Sequence, residues 1–458
     1  MTVFHARQAA RRAVATALAA GATALAALAA SGIGAAHAQS SSPGSPAQSQ
    51  PALSDVASLG KLIFNDPSLS ASGRMSCASC HSPAHAYGPP NGLAAQPGGA
   101  DLHAQGTRAV PTLGYVLNRT PVWTHVQAAS VFERLTDADS PPAGGFAWDG
   151  RYNTLHDQAL FPLFNPNEMA NRDSAQVAAK LERAPYAARF KQLFGETIFV
   201  SKDAAVHQAM QAVERFELEE PGFHSYTSKF DAVLERKAEF TASEMRGKKL
   251  FDDPNGGNCA SCHIDQVGAN GAHPLFTDYQ FEALGVPRNP ELRANRDPKY
   301  FDKGLCGPVR TDVSSNKNYC GLFKTPTLRN VATREVFFHN GRFHTLRDAL
   351  RFYVERDTNP EKWYPKDRHG HVVKFDDLPA AERVNVDTVD EPLTRKPGGK
   401  PAWNARDIDD VIAFLKTLDD GYLPTNPPTA GARFVKISTT SAPIKRQSNG
   451  NEAAMKRQ

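Results

Sequence analysis

Four of the chain's six cysteines fall in two copies of one pentapeptide, Cys77-Ala-Ser-Cys80-His81 and Cys259-Ala-Ser-Cys262-His263. In C-x-x-C-H, two thiols one helical turn apart can add to the two vinyl groups of a haem, and the imidazole that follows then lies beneath the iron as an axial ligand. Other chemistries use the same cysteine spacing. A four-thiolate zinc site could employ both pairs, but it would leave the adjacent His81 and His263 without a purpose. A redox-active dithiol calls for a βαβ context that neither segment has. Chance is a poor account of two identical copies that both end in His. The reading that uses every residue is two covalently bound haem c groups, anchored by Cys77, Cys80, Cys259 and Cys262, with His81 and His263 as proximal ligands.

Each motif needs an element to carry it. Gly60-Lys61-Leu62-Ile63-Phe64-Asn65-Asp66-Pro67 precedes the first copy and Gly247-Lys248-Lys249-Leu250-Phe251-Asp252-Asp253-Pro254 the second. An amphipathic helix leads into each, and the second opens on Thr241-Ala242-Ser243-Glu244, a capping-box pattern. A further amphipathic helix closes each half, over residues 204–219 and 405–418. The repeat unit is therefore helix, cysteine motif, long irregular stretch and closing helix. This predicts a mainly α protein of two domains, each with one covalently attached c-type haem, over residues 53–235 and 236–423.

The chain has 458 residues and is 41% apolar, enough for about two or three cores. Residues 1–38 contain Arg7, Arg11 and Arg12, no acidic residue, an Ala/Leu-rich run and Ala36-His37-Ala38 before Gln39. This is the pattern of a secretory signal peptide with an A-x-A cleavage site, and it predicts a periplasmic protein. Without those three arginines the 52 basic side chains nearly balance the 48 acidic ones, so nucleic acid is not an expected partner. No other apolar run approaches a bilayer's thickness, so no membrane span is expected after cleavage. Residues 39–52 and 424–458 lack the bulky apolar side chains that would offset ordering and read as a flexible leader and tail.

In an oxidising compartment Cys306 and Cys320 are the remaining partners for each other, and a disulfide closing a loop of about fifteen residues stabilises by roughly 3 kcal/mol in the chain-entropy model. A regulatory redox pair is the alternative. After cleavage the methionines are Met75, Met169, Met210, Met245 and Met455, and none lies between His263 and the tail. The second haem therefore lacks a thioether ligand. Its sixth position falls to His273, His339, His344, Tyr353, His369 or His371, or stays open.

The runs FAWDGRYNTLHDQALFPLFNPNEMA (146–170), FKTPTLRNV (323–331) and FFHNGRFHTLRDALRFY (337–353), with both CASCH motifs in order, resemble the bacterial di-haem cytochrome c peroxidase and MauG family. The resemblance covers about residues 53–422. It implies two packed cytochrome c-like domains, one haem reacting with hydrogen peroxide and the other handling electrons. Residue by residue, it puts Glu168 in place of the family's acid/base over the first haem, Gln158 in the same pocket, and Trp148 between the haems as a relay. A carboxylate held there can move a proton between the two oxygens of a peroxide as their bond breaks. By residue type alone, a surface Glu, a turn-side Gln and a core Trp are the ordinary readings. Tyr353, fourteen residues after His339, stands where electron-accepting peroxidases carry Met and MauG-like members carry Tyr. A phenolate there is a hard donor that lowers the second haem's potential.

The sequence also departs from the family. His103 lies in the loop that supplies a resting-state ligand to the first haem in many relatives, but its distance to Pro111-Thr112 does not match. Ala109 replaces an Asn, and Arg334-Glu335-Val336 a Thr-x-Pro element, of the family's calcium site, which argues against calcium. Residues 119–145 read as an insertion, and Arg329 and Arg342 as possible partners of haem propionates. The expected activity is reduction of peroxide with electrons from a small periplasmic donor. The alternatives are a MauG-like oxidase acting on an oxidisable partner protein, or a non-catalytic electron carrier.

Overall fold

The computed structural model describes residues 52–115, 119–125 and 141–423. The expected signal peptide (1–38), the expected tail with Met455, almost all of the expected leader and much of the stretch 119–145 read as an insertion lie outside them. The described chain is mainly helical, with few strands. Its α-helices are α1 (Asp55–Phe64), α2 (Cys77–Cys80), α3 (Leu155–Phe164), α4 (Ser174–Leu181), α5 (Ala187–Phe194), α6 (Lys202–Glu219), α7 (Lys229–Leu234), α8 (Ala242–Asp252), α9 (Leu346–Glu355) and α10 (Ala405–Lys416). Two antiparallel ribbons complete it. In one, β1 (Pro97–Gly98) pairs with β2 (Ala104–Gln105), Pro97 opposite Gln105; in the other, β3 (Phe281–Glu282) pairs with β4 (Phe323–Lys324), Phe281 opposite Lys324.

The repeated segments become two crossed helix pairs. In α1 the buried residues Leu59, Gly60, Ile63 and Phe64 follow helical spacing, and Ser54 caps the start by accepting from the Ala57 N–H at 3.1 Å. In α8 the capping box forms as the sequence predicts. Thr241 Oγ1 accepts from the Glu244 N–H at 3.3 Å, and Glu244 Oε2 from the Thr241 N–H at 2.7 Å. α1 packs on α6, and α8 on α10. The crossing points are the two repeated glycines: a Cβ on Gly60 would stand 1.8 Å from the Ala212 carbonyl oxygen, and one on Gly247 would stand 1.9 Å from that of Asp410. Each contact requires hydrogen at that position.

Around each pair is a separate hydrophobic core. The first includes Phe64, Leu155, Phe190, Val213 and Phe223, the second Phe230, Phe251, Phe352, Trp403 and Phe414. Phe230 of α7 packs in the second core, so by packing α7 goes with the second half, several residues before the boundary expected at 235. A small third cluster holds Cys306 and Cys320, which are joined by a disulfide, with Phe281 and Tyr319. Arg108 of the first half fixes the seam, its Nε 2.6 Å from Asp302 of the second half and its Nη1 2.7 Å from Asp149. Burial alone would raise the Asp302 carboxyl, but Arg108 holds it below its usual range. Among the described residues no helix is long and apolar enough to cross a membrane.

Candidate active site

One continuous cavity of about 640 Å³ runs through both cores and is walled by both pentapeptides. The same CASC sequence enters it in two conformations. Residues 77–80 form an α-turn, whereas Cys259–Ser261 form a 3-10 turn preceded by Asn258 in the left-handed region at φ 50°. The two pairs are bedded in different cores, and among the described residues no cluster of three or more His, Cys, Asp or Glu can hold a metal ion. A four-thiolate zinc site is therefore not built. Burial pushes the thiols of Cys77, Cys80 and Cys259 up to about 12, which keeps them protonated.

The two motif histidines are held alike. His81 Nδ1 lies 3.2 Å from the Tyr87 carbonyl oxygen and His263 Nδ1 2.9 Å from that of Phe276. Burial lowers both imidazoles to about 4, so each is neutral, with Nδ1–H donating to the carbonyl and the Nε2 lone pair directed away from it. Tyr87 and Phe276 both sit in the left-handed region, at φ 56° and 53°. Bulky aromatic residues adopt it at a cost of about 1 kcal/mol or more, which the surrounding packing must offset. The Pro111 and Pro326 carbonyls support the same two imidazoles. A second repeat underlies this, Pro111-Thr112-Leu113 and Pro326-Thr327-Leu328, which a search for paired short motifs can find.

Opposite these similar supports the walls differ. In the first half α3 ends at Asn165, and the turn Asn165-Pro166-Asn167-Glu168 swings a carboxylate into the cavity. Asn165 Nδ2 donates to Glu168 Oε1 at 2.7 Å, and the backbone is pinned by Gly99 N–H on the Glu168 carbonyl at 2.8 Å. A Cβ on Gly98 would stand 2.0 Å from the Asn167 carbonyl oxygen, so the β1 ribbon can lie against this turn only with glycine there. Burial raises the Glu168 carboxyl above its ordinary value, and Asn165 and Arg151 partly oppose the rise. Gln158 of α3 and Met75 and Met169 line the same region. Glu217 of α6 also reaches the cavity wall. It is 2% exposed, its Oε2 has no hydrogen-bond partner, and burial with neighbouring Glu214 pushes its carboxyl up to about 8. Its signal in the sequence is an acidic residue on the inner stripe of α6, four after Val213.

In the second half Tyr353 of α9 lines the cavity beside the cysteine pair. Burial, with Cys259 and Cys262 next, raises its phenol well above the usual range. Of the histidine alternatives, His339 alone also lines the cavity, but it is stacked on Phe323 at 3.5 Å and faces Asp302 and Arg108 at the seam. His273 pairs with Asp231 at 2.6 Å and His344 with Glu291 at 2.9 Å, while His369 and His371 are exposed on a turn. His103 is exposed and outside the cavity wall.

Trp148 stands where the halves meet. Its Nε1 donates to the Ala109 carbonyl at 2.8 Å, its own carbonyl accepts from the Lys324 N–H at 2.8 Å, and the Ala109 N–H donates to the His339 carbonyl at 2.7 Å. Arg329 is already matched by Asp231 at 2.7 Å, and Arg342 is not on the cavity wall, so neither is an available cation there. Arg334, which sequence reasoning did not single out for this role, is on the wall.

Thiols beside neutral imidazoles in two apolar-walled compartments fit two haems, and a half-buried carboxyl over one compartment and a phenol over the other distinguish them. A family model described as di-haem cytochrome c peroxidase matches residues 54–239. Methylamine utilization protein MauG of Paracoccus denitrificans is 32% identical over 392 residues, covering 82% of this chain and 92% of that protein. Cytochrome c551 peroxidase of Nitrosomonas europaea is 30% identical over 329 residues, covering 71% and 80%. The crystal structure of the diheme peroxidase BthA from Burkholderia thailandensis matches with a TM-score of 0.71 and 38% identity, over 82% of this chain and 89% of that one. Likeness of this degree along most of the chain makes the protein a member of the di-haem cytochrome c peroxidase and MauG family, a family of oxidoreductases that carry two c-type haems.

Proposed function

We propose that the protein is a periplasmic c-type peroxidase that reduces hydrogen peroxide in the first compartment, with the second compartment and Trp148 storing or relaying oxidising equivalents. In this reading the two halves, dividing just before α7, are two cytochrome c-like domains. Cys77 and Cys80, and Cys259 and Cys262, tether the haems through thioether bonds. His81 and His263 would hold the irons through Nε2, and Tyr353 would offer its phenolic oxygen to the second. Bound haem supplies an iron that takes up peroxide and exchanges electrons.

The observation that carries the reading is Glu168. Turning peroxide into two waters consumes two protons and two electrons, and one oxygen must receive a proton as the O–O bond breaks. With Oε1 held by Asn165, Oε2 is the atom left to carry that proton, and burial favours the protonated form. Gln158 can orient the substrate through its amide, and the indole of Trp148, tied to both halves, can pass a hole between them. Rapid mixing of holoprotein with peroxide tests the assignment. Glu168→Gln should slow peroxide consumption with both haems still bound, and an unchanged rate removes Glu168 from the mechanism.

Tyr353 favours a second reading, a MauG-like oxidase that spends stored oxidising equivalents on a partner protein or other substrate. A phenolate ligand disfavours electron entry from a small cytochrome. Tyr353→Met should raise the second haem's potential and speed turnover with a reduced cytochrome. Fast turnover by the native protein without prior half-reduction would favour the plain peroxidase. A pure electron carrier has no use for a half-buried Glu168 on the cavity wall.

A further inference from the structure

Arg334, half-buried, differs from the other arginines turned toward the interior. Arg108 is matched by Asp302 and Asp149, Arg329 by Asp231 and Arg356 by Asp357. Arg334 is turned onto two main-chain oxygens instead, Nη2 donating to Val110 at 3.0 Å and Nε to Val336 at 3.2 Å. Val110 belongs to the first half and Val336 to the second, so the guanidinium crosses the seam. It forms cavity wall together with His81, Gly88 and Pro111, and a Cβ on Gly88 would stand 3.3 Å from its Nη1. Burial pulls its pKa down to about 10, with no carboxylate among the described residues opposing that fall, and its charge adds to the burial that keeps His81 neutral.

A guanidinium partly withdrawn from water without an anion is left undercompensated. Carbonyl dipoles from two sides recover part of the lost hydration. The rest is recovered if an anion arrives with the bound group, and haem brings two propionates. Arginine's planar fork matches a carboxylate in two parallel hydrogen bonds, which the point charge of lysine cannot do.

We propose that Arg334 is the counter-cation of the first haem, pairing across the seam with a propionate of the group held by His81 and favouring that haem's reduced form. It is a positioning residue that touches no substrate, and the proposal rests on the di-haem reading above. A fixed positive charge beside a redox centre stabilises the state carrying the extra electron, so its removal favours the oxidised state.

Spectroelectrochemical titration of the holoprotein tests this, with the first haem identified by its absence from Cys77→Ser/Cys80→Ser protein. In Arg334→Gln the reduced-to-oxidised ratio of the first haem at fixed potential should fall about tenfold, a one-electron shift of 59 mV, while the second haem's ratio holds. Arg334→Lys should recover most of the shift. An unmoved first haem in Arg334→Gln, or equal shifts at both haems, overturns the proposal. Should Arg334→Gln fail to load the first haem, Arg334→Lys decides: loading with a midpoint near native supports the pairing, and failure to load overturns it. Wild-type protein with fewer than two haems would sink the di-haem reading itself, and it is recognised before any variant is made.

Discussion

The two halves share what lies beneath each proposed haem and differ in what lies above it. Both have a helix crossing closed by a glycine, at Gly60 and Gly247, a CASCH motif, and an imidazole oriented by the carbonyl of an aromatic residue in the left-handed region. Above the first stands a half-buried carboxyl on a turn after α3, and above the second a half-buried phenol on α9. The lesson is that the duplicated scaffold supplies tethering and proximal support. Reactivity is assigned by single side chains from the stretches that the duplication does not conserve. A carboxyl can move a proton and leave a coordination position open; a phenol can fill one.

The strongest way to break the comparison is to remove the tethers one half at a time. Cys77→Ser/Cys80→Ser should leave one haem per chain and abolish the reaction with peroxide, whereas Cys259→Ser/Cys262→Ser should leave one haem that still reacts. Haem content and rapid-mixing absorbance together decide it, and reaction surviving in the first variant would reverse the assignment of the halves. Next in size, Glu168→Gln should cost about 10²–10⁴-fold in the rate of peroxide cleavage, the range for losing a positioned acid or base, with haem content unchanged.

Smaller effects sharpen the comparison at the level of the scaffold. Gly60→Ala and Gly247→Ala each force a methyl against a carbonyl and should cost about 1–3 kcal/mol each, read as lowered denaturation midpoints. Similar losses would show the two crossings to be equivalent, and a loss confined to one would show that a single pair sets stability. The smallest effect expected is at Glu217 of α6, whose place in α10 is taken by Leu415. Its carboxyl is raised from 4.5 to about 8 by burial, so the native state keeps a proton that the unfolded chain releases. Stability should therefore fall as pH rises from about 4.5 to about 8, and Glu217→Gln should flatten that slope. The expected gain at the upper end is on the order of 1 kcal/mol, measured by denaturant titration of the holoprotein across pH.

Much of the scaffold was legible because its signals are local. Two pentapeptides, two glycine-bearing helices and a capping box at Thr241 each act within a few helical turns, and both helices and the capping box formed where expected. The closing helices emerged at Lys202–Glu219 and Ala405–Lys416, close to the predicted spans. Glu168 and Tyr353 could be singled out through the family resemblance, since a lone Glu or Tyr carries no spacing signal of its own. Arg334 and Glu217 could not be picked out in this way. Nothing near Arg334 in the chain says that its guanidinium meets Val110, and nothing near Glu217 says that it faces a cavity rather than solvent.

By itself the sequence determined the pattern on which the proposed haem attachment rests, two cysteines and a histidine used twice, because porphyrin geometry can be met by neighbours along the chain. The tertiary structure alone decided which side chains share a compartment. It put Tyr353 rather than His273, His344, His369 or His371 beside the second cysteine pair, matched Arg329 to Asp231, and left Arg334 at the seam without a carboxylate among the described residues. These outcomes depend on burial and on partners far apart in sequence, and desolvation is a property of the packed interior that no local pattern encodes.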